Sequence, residues 1–465
     1  MGSESKNTID KALDINMDPN IYGTFAEIGA GQEVARNFFL AGRASNTVAK
    51  TMSAYDMTFS DEIYGREKNG RYVCESRLNR MLEHEFSLVQ DRLNKKRGKD
   101  TCFFAFADTV ATSKQSNKAR CHGWLGLRFQ TVPGGPFNDV ILHVNMKDAF
   151  RLAQQQALGT LGVNLIHGCF YKRDNIKEFV CGLLDELKSE RIEVDLLRFS
   201  GPDLEHIDNR LVNLELIRQD LSPAVLFDKS GDIVQAAEVL FKKQVVVQRG
   251  TFRPITITNE KILEYGLKQL PSKDNERVVL MEISMRSLSS EEGLVDARDF
   301  LDRVDTLTAL GYNVLISQFT LYYELKEYLR RCTREQITMF IGATSLEKLF
   351  ESKYYDHLQG GTLFAFGRLF DRQTKMFVYP YKTDDLCYTA KTFNPSPEFG
   401  HLYQHLMTNK NFEDIAGCDD VDTSISSDQI RKSLQEGTTE WETLVPEKVR
   451  QLIIENGLFN YKGKS

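Results

Sequence analysis

Apolar positions along this chain change period several times, and each change marks an element. After a first stretch of twenty mostly polar residues expected to be loose, Glu33 to Phe39, Val48 to Met52 and Ser76 to Leu93 carry apolar residues three and four apart, which predicts helices. The period then shortens. Cys102 to Ala107, Trp124 to Phe129, Val140 to Val144 and Val163 to Ile166 are short apolar or β-branched runs between Gly, Pro, Asn and Asp, and they read as strands. Asp148 to Leu158 and Ile176 to Ser189 predict helices, followed by a strand at Glu193 to Phe199 and a helix from Asp208 to Gln219. Ala224 to Asp228, the polar stretch Lys229 to Asp232, and Ile233 onward have the composition of strand, turn and strand.

From residue 241 the alternation becomes regular. Gln244 to Gln248, Arg277 to Ile283, Tyr312 to Ser317 and Gln336 to Ile341 predict buried strands; Asn259 to Leu270, Asp296 to Leu310, Leu321 to Arg331 and Ser345 to Tyr355 predict the helices between them. In the second helix Ala297, Leu301, Val304 and Leu307 share one face. Such a β-α-β-α order predicts a doubly wound parallel sheet with right-handed crossovers, which takes ligands beyond the carboxyl ends of its strands. The expected class is therefore α/β: a Rossmann-like doubly wound parallel sheet over 241–465, preceded by a helical plus α/β region over 1–240.

Composition narrows the classes of function. A formal charge of −6 from 59 basic and 65 acidic side chains gives no global attraction to nucleic acid or to an anionic membrane. No apolar run approaches the length of a membrane span, and Met1-Gly-Ser-Glu-Ser-Lys6 is unlike a secretory leader. Eight cysteines without any C-x-x-C spacing read as reduced thiols, so a cytoplasmic protein is expected, with a homo-oligomer open. The basic stretch Arg92 to Lys99 reads as a solvated helix end.

Chemistry in the first region is sparse. Gly29-Ala-Gly31 opens a helix but lacks the third glycine of a dinucleotide fingerprint, so a tight turn is expected. Tyr55-Asp56 and Ser60-Asp61-Glu62 gather oxygen ligands that suit Mg²⁺ or simply solvated loops. Cys121 and His122 are neighbours in a strand and point to opposite faces, which rules out a dyad between them. His143 and His167 sit in apolar, strand-like runs and read as hydrogen-bonded core histidines. Asp203, His206 and Asp208, just past the strand ending at Phe199, form a second candidate ligand loop.

The second region carries more. Its first strand runs into Arg249-Gly-Thr-Phe-Arg-Pro-Ile-Thr256, with a helix beginning near Asn259. A glycine directly after a buried strand lets backbone approach a ligand, and the helix start presents unpaired N–H groups; both an ordinary β-α turn and a phosphate cradle fit. Far along the chain, Ser424-Ile-Ser-Ser-Asp-Gln-Ile-Arg431 begins another helix, and Leu444-Val-Pro446 opens a terminal one that stops at Gly457.

In this order the two pieces resemble the bacterial nicotinate-nucleotide adenylyltransferases. Gly250 to Asn259 is similar to the G-x-F-x-P-x-[HT]-x-x-H entry of the nucleotidylyltransferases that make NAD and coenzyme A precursors, Ser424 to Gly457 to the I-S-S-T-x-I-R and closing segment of the bacterial enzymes, and Gly342 to Leu346 to their G-A-D-S-L. The resemblance implies attack by the phosphate of a nicotinate or nicotinamide mononucleotide on the α-phosphorus of ATP, with Mg²⁺, releasing pyrophosphate. It implies that Gly250, Thr251 and Phe252 approach the nucleotides, that Thr256 donates to a phosphate, and that Ser426, Ser427 and Arg431 hold the ATP phosphates. Asn259 stands where the second motif histidine would be, Thr344 where the aspartate would be, and Asp428 where the threonine would be. A neutral amide donor is weaker than the cation it replaces, which Arg253 and Arg249 could offset in part. An adenylyltransferase and a nucleotide-binding regulatory protein with altered catalysis are thus the two expectations, with an unrelated enzyme in 1–240 as a third.

Overall fold

The computed structural model describes residues 6–68, 70–113, 121–271, 277–289, 293–383, 386–415, 417–418, 425 and 427–463. The chain forms two compact units, Met1–Pro223 and Ala224–Ser465. The boundary therefore falls ahead of the strand–turn–strand segment that the sequence placed in the first region.

The first unit runs α1 (Thr8–Met17), β1 (Ile21–Ile28), α2 (Glu33–Ala41), β2 (Val48–Met52), α3 (Met57–Tyr64), α4 (Glu75–Arg97), β3 (Cys102–Ala111), β4 (His122–Gln130), β5 (Phe137–Met146), α5 (Arg151–Tyr171), α6 (Ile176–Leu183), β6 (Ile192–Ser200) and α7 (Asn209–Arg218). Its sheet has the order β2-β1-β3-β4-β5-β6, with β1 parallel to β2 and β3 and the rest antiparallel. Three expectations fail here. Residues 8–17 are helical, because Ala12 and Ile15 are fully buried and Lys11 and Asn16 find polar partners inside. Val48–Met52 is a strand pairing with β1. Val163 to Ile166 lies inside α5, whose middle is buried on every side and so shows no helical period.

In the second unit a hairpin of β7 (Ala224–Phe227) and β8 (Ile233–Val234) precedes α8 (Ala236–Val239), β9 (Gln244–Arg249), α9 (Ile257–Gln269), β10 (Arg277–Ser284), α10 (Met285–Leu288), α11 (Ala297–Ala309), β11 (Asn313–Ser317), α12 (Tyr322–Cys332), β12 (Ile337–Gly342) and α13 (Ala343–Leu349). Then come α14 (Gly361–Leu369), β13 (Thr374–Tyr379), the small hairpin β14 (Tyr381–Lys382) and β15 (Cys387–Tyr388), α15 (Gly400–Thr408), β16 (Phe412–Asp414), α16 (Ser427–Glu436) and α17 (Glu447–Asn456). The main sheet has the order β16-β13-β12-β9-β10-β11-β7-β8. All pairings from β16 to β11 are parallel, and the β7–β8 hairpin adds to the β11 edge antiparallel. Successive strands walk outward from β9 in one direction, then restart from β12 in the other. This is the doubly wound order, with its reversal between β9 and β12.

The expected α/β class with parallel strands is what the chain forms. Two details differ: α13 ends at Leu349 instead of Tyr355, and α11 buries Phe300, Val304 and Leu307 while Ala297 is exposed. A disulfide joins Cys387 to Cys418, so not all eight cysteines are free thiols. Among the described residues no helix is long and apolar enough to cross a membrane.

Candidate functional site

At the carboxyl end of β9 the chain leaves the sheet through the turn 250–256. Phe252 adopts a left-handed φ of 44° there, which places its ring in the core, 1% exposed, against Gly250. A Cβ on Gly250 would lie 2.7 Å from that ring, so glycine is needed to admit the phenylalanine. The Gly250 N–H donates to the Glu282 carbonyl at 3.0 Å and Phe252 is buried, so both residues serve the turn itself. Thr251 is exposed at its tip.

The two residues at the histidine positions hold one another. Thr256 is the N-cap of α9: its hydroxyl lies 3.0 Å from Asn259 Oδ1 and also accepts from the Asn259 backbone N–H, and Asn259 Oδ1 accepts the Thr256 backbone N–H at 3.0 Å. This reciprocal cap satisfies orphan donors of the first turn. It also commits the Thr256 hydroxyl, leaving the Asn259 NH₂ as the polar group of this pair that can be offered to a phosphate.

Arg249 is spent on structure as well. Its guanidinium makes two hydrogen bonds to Glu282, at 2.5 and 3.1 Å, and others to the carbonyls of Phe319 and Thr320. Glu282 is fully buried and also accepts from Ser317 Oγ at 2.5 Å. Carboxylate, guanidinium and hydroxyl thus plug the carboxyl ends of β9, β10 and β11.

What the structure brings together is cationic. Arg253 and Arg303 both donate to Asp299 on α11. Arg303, 1% exposed, also reaches the carbonyls of Thr251 at 3.1 Å and Ser287 at 3.0 Å, while its Nε is buried without a partner. Burial pushes its pKa down; Asp299 opposes this, and the nearby charges of Arg253 and Arg431 push the same way as burial. Arg431 stands on α16, paired with Asp428 at 3.0 Å and about a third exposed. The start of that helix touches the turn: Ser427 Oγ lies 3.4 Å from the Pro254 carbonyl. The Ile257 N–H donates to the Leu444 carbonyl at 3.0 Å, a second tie between the two regions. Ser426 lies outside the described residues. Arg303, invisible in the sequence reading, sits among the polar positions of an amphipathic helix and carries no motif.

The candidate groups of the first unit have structural partners. Gly29 and Gly31 have φ of 104° and 88° in a tight turn, and the first turn of α2 is held by the Glu27 carboxylate, which accepts from Val34 and Ala35. Asp56 caps α3, Asp61 accepts from Tyr72, and Asp208 caps α7. Asp203 accepts from Thr131 and Asn138, which hold its carboxyl below its usual range. His143 is a buried, hydrogen-bonded core residue between Asp195 and His122, at 2.5 and 3.0 Å. His167 lies in helix α5, where burial, with the Lys11 charge, lowers its pKa to about 4. No group of three or more His, Cys, Asp or Glu among the described residues is placed to hold a metal.

No family model matches the chain, and no curated protein matches it. Among solved structures, the competence/damage inducible protein CihA from Agrobacterium tumefaciens is 16% identical, with a TM-score of 0.27 over 36% of this chain and 97% of its own. A competence-damaged protein (CinA) superfamily member from Enterobacter cloacae is 8% identical, with a TM-score of 0.26 over 36% and 95%. Another from Escherichia coli is 12% identical, with a TM-score of 0.25 over 36% and 91%. Likeness at this level carries no activity across to this chain. The adenylyltransferase resemblance rests on the residues quoted for it.

Proposed function

We propose that the second unit binds the phosphates of a nucleotide beside the 250–254 turn, with ATP and a pyridine mononucleotide as the pair the motif resemblance implies. The observation that carries this reading is convergence. Two stretches 173 residues apart meet, through Ser427 and Pro254, beside three arginines, of which Arg253 and Arg303 share Asp299 and Arg431 pairs with Asp428. Three guanidiniums against two carboxylates leave one positive charge over, which suits an anion, and arginine offers it bidentate donors. In the reaction, an oxygen of the mononucleotide phosphate would bond to the α-phosphorus of ATP as the bond to the β-phosphate bridge breaks and pyrophosphate leaves.

The side chains favour binding over turnover. Thr256 and Asn259 cap each other, and no cation occupies the second histidine position. Asp299 is shared by two guanidiniums and Asp428 is paired with Arg431, so Mg²⁺ enters this reading only as the ion that ATP brings.

Two measurements on the full chain separate the alternatives. Thermal stabilisation by ATP with Mg²⁺, reduced at least tenfold in ligand concentration dependence by Arg431→Ala, is expected. Pyrophosphate release with either mononucleotide, above the Arg431→Ala level, would identify a transferase; stabilisation without release would identify a nucleotide-binding protein. No ATP-dependent shift at millimolar concentration sinks both.

A further inference from the structure

The opposite edge of the same sheet holds a cavity of about 650 Å³. It lies between α14 and α15, beside the amino-terminal ends of β13 and β16, at the edge away from the carboxyl ends where a doubly wound sheet takes its nucleotide. About half of its wall is apolar, with Leu363, Phe366 and Phe370 on one side and Leu402 and Leu406 on the other, and the rest is polar. Leu363 is 71% exposed, a large apolar side chain left at the rim. The volume falls within the usual range for small-molecule sites.

The charges at the rim have one sign left over. Asp371 is the carboxylate in the lining, and it is neutralised by Arg330, with bonds of 2.9 and 3.1 Å, and by Lys326 at 3.0 Å. Although burial opposes it, hydrogen bonds from Thr374, Lys326 and the Gln373 N–H, with the Arg330 charge, hold its pKa at about 2. Lys375 is paired with Glu413 at 2.5 Å. Arg372 and Lys410, both exposed and both in the lining, make no ion pair among the described residues. The groove therefore joins an apolar wall to two unneutralised cations.

We propose that this groove binds a small molecule with a flat apolar body and an anionic head, an aromatic carboxylate, phosphate or sulfonate, with the head between Arg372 and Lys410. The proposal stands independently of the nucleotide reading. Gly367 provides a clean test because it lines the groove, sits within α14, and a Cβ there would meet nothing within 4 Å. Gly367→Leu fills the cavity while improving helix propensity, so loss of binding is not loss of fold.

The probe is naphthalene-1-sulfonate, with neutral 1-naphthalenemethanol as its match, titrated against the full chain by calorimetry and saturation-transfer NMR. The expected result is one equivalent of sulfonate, bound at least tenfold more tightly than the neutral probe. Gly367→Leu is expected to weaken sulfonate binding tenfold or more with an unchanged or raised Tm. The Arg372→Ala/Lys410→Ala double variant should bind both probes alike, and Arg431→Ala should behave as wild type. Equal affinity for the two probes in the wild type, or unaltered sulfonate binding in Gly367→Leu, overturns the proposal.

Discussion

Removing Arg249 tests whether the plug at the strand ends is structural. Glu282 has no exposed surface, and its carboxylate is satisfied by two bonds from Arg249 and one from Ser317. Arg249→Met leaves that charge buried with a single hydroxyl donor. Deleting one partner of a buried pair costs about 3–5 kcal/mol, and the upper half of that range applies where the stranded group has no route to water. Glu282→Leu is milder, about 2–3 kcal/mol, because the Arg249 side chain keeps 16% exposure, two carbonyl acceptors and the Tyr322 ring 4.8 Å away. The double variant strands no charge. It should cost about 2–4 kcal/mol, well below the sum, giving a coupling of at least about 2 kcal/mol.

A chain of two units need not unfold in one step, so the assay must see the second unit alone. The two tryptophans make this possible: Trp124 is buried in the first unit and Trp441 in the second. In a Trp124→Phe background, Trp441 emission against urea reports the relevant transition. An Arg249→Met cost below about 1.5 kcal/mol, or strict additivity in the cycle, refutes the reasoning. Nucleotide-dependent stabilisation should persist in the folded Arg249→Met protein, because this guanidinium faces a carboxylate and not the arginine cluster.

Three further outcomes are expected. Glu27 and Asp108 sit side by side in register on β1 and β3, both buried; burial, with the Glu33 charge, raises Glu27 to about 7, and burial, with Glu27, raises Asp108. Since the folded carboxyls hold protons that the unfolded ones release, first-unit stability should fall as pH rises from about 4.5 through 7, by roughly 3 kcal/mol for Glu27 alone. Asp108→Asn should flatten that decline in thermal melts followed at Trp124, and an unchanged pH profile counts against the pair. Gly162→Ala should destabilise the first unit by about 1–3 kcal/mol in spite of its helix propensity. The new Cβ would lie 2.4 Å from Val34 Cγ2, where α5 meets α2, and a stabilised variant would show that contact to be wrong. Thiol titration of the denatured chain should find six groups before reduction and eight after; eight before reduction would exclude the Cys387–Cys418 bridge.

The doubly wound half was legible because its strands are uniform apolar runs punctuated by amphipathic helices, a pattern that depends on local spacing alone. The first half hid two of its parallel strands, β1 and β2, while β3 was legible. Ile21–Ile28 carries Gly23 and Glu27 and is covered on both faces, so it neither alternates nor runs continuously apolar. Five residues, Val48–Met52, fit a helical and an extended period equally well, and pairing with β1 decides between them. Helix α1 looked loose because Lys11 is polar; its burial depends on Asn164 and Asp185, which lie far along the chain. The candidate site divides in the same way. Arg431 and Ser427 were readable from a local motif, whereas the roles of Arg249 and Arg303 follow from Glu282 and Asp299, partners that no spacing rule connects to them.

Because the turn after β9 and the helix bearing Arg431 come from distant parts of the chain, synthesis imposes an order on the candidate site. At roughly 5–20 residues per second, the ribosome delivers the start of α16 about 9–35 seconds after the turn. The nucleotide site proposed above needs residue 431, so it is complete only once α16 has been made, after every strand of the sheet. Release within that interval removes residue 431 and, the earlier it falls, more of the strands from β10 to β16 that build the sheet itself.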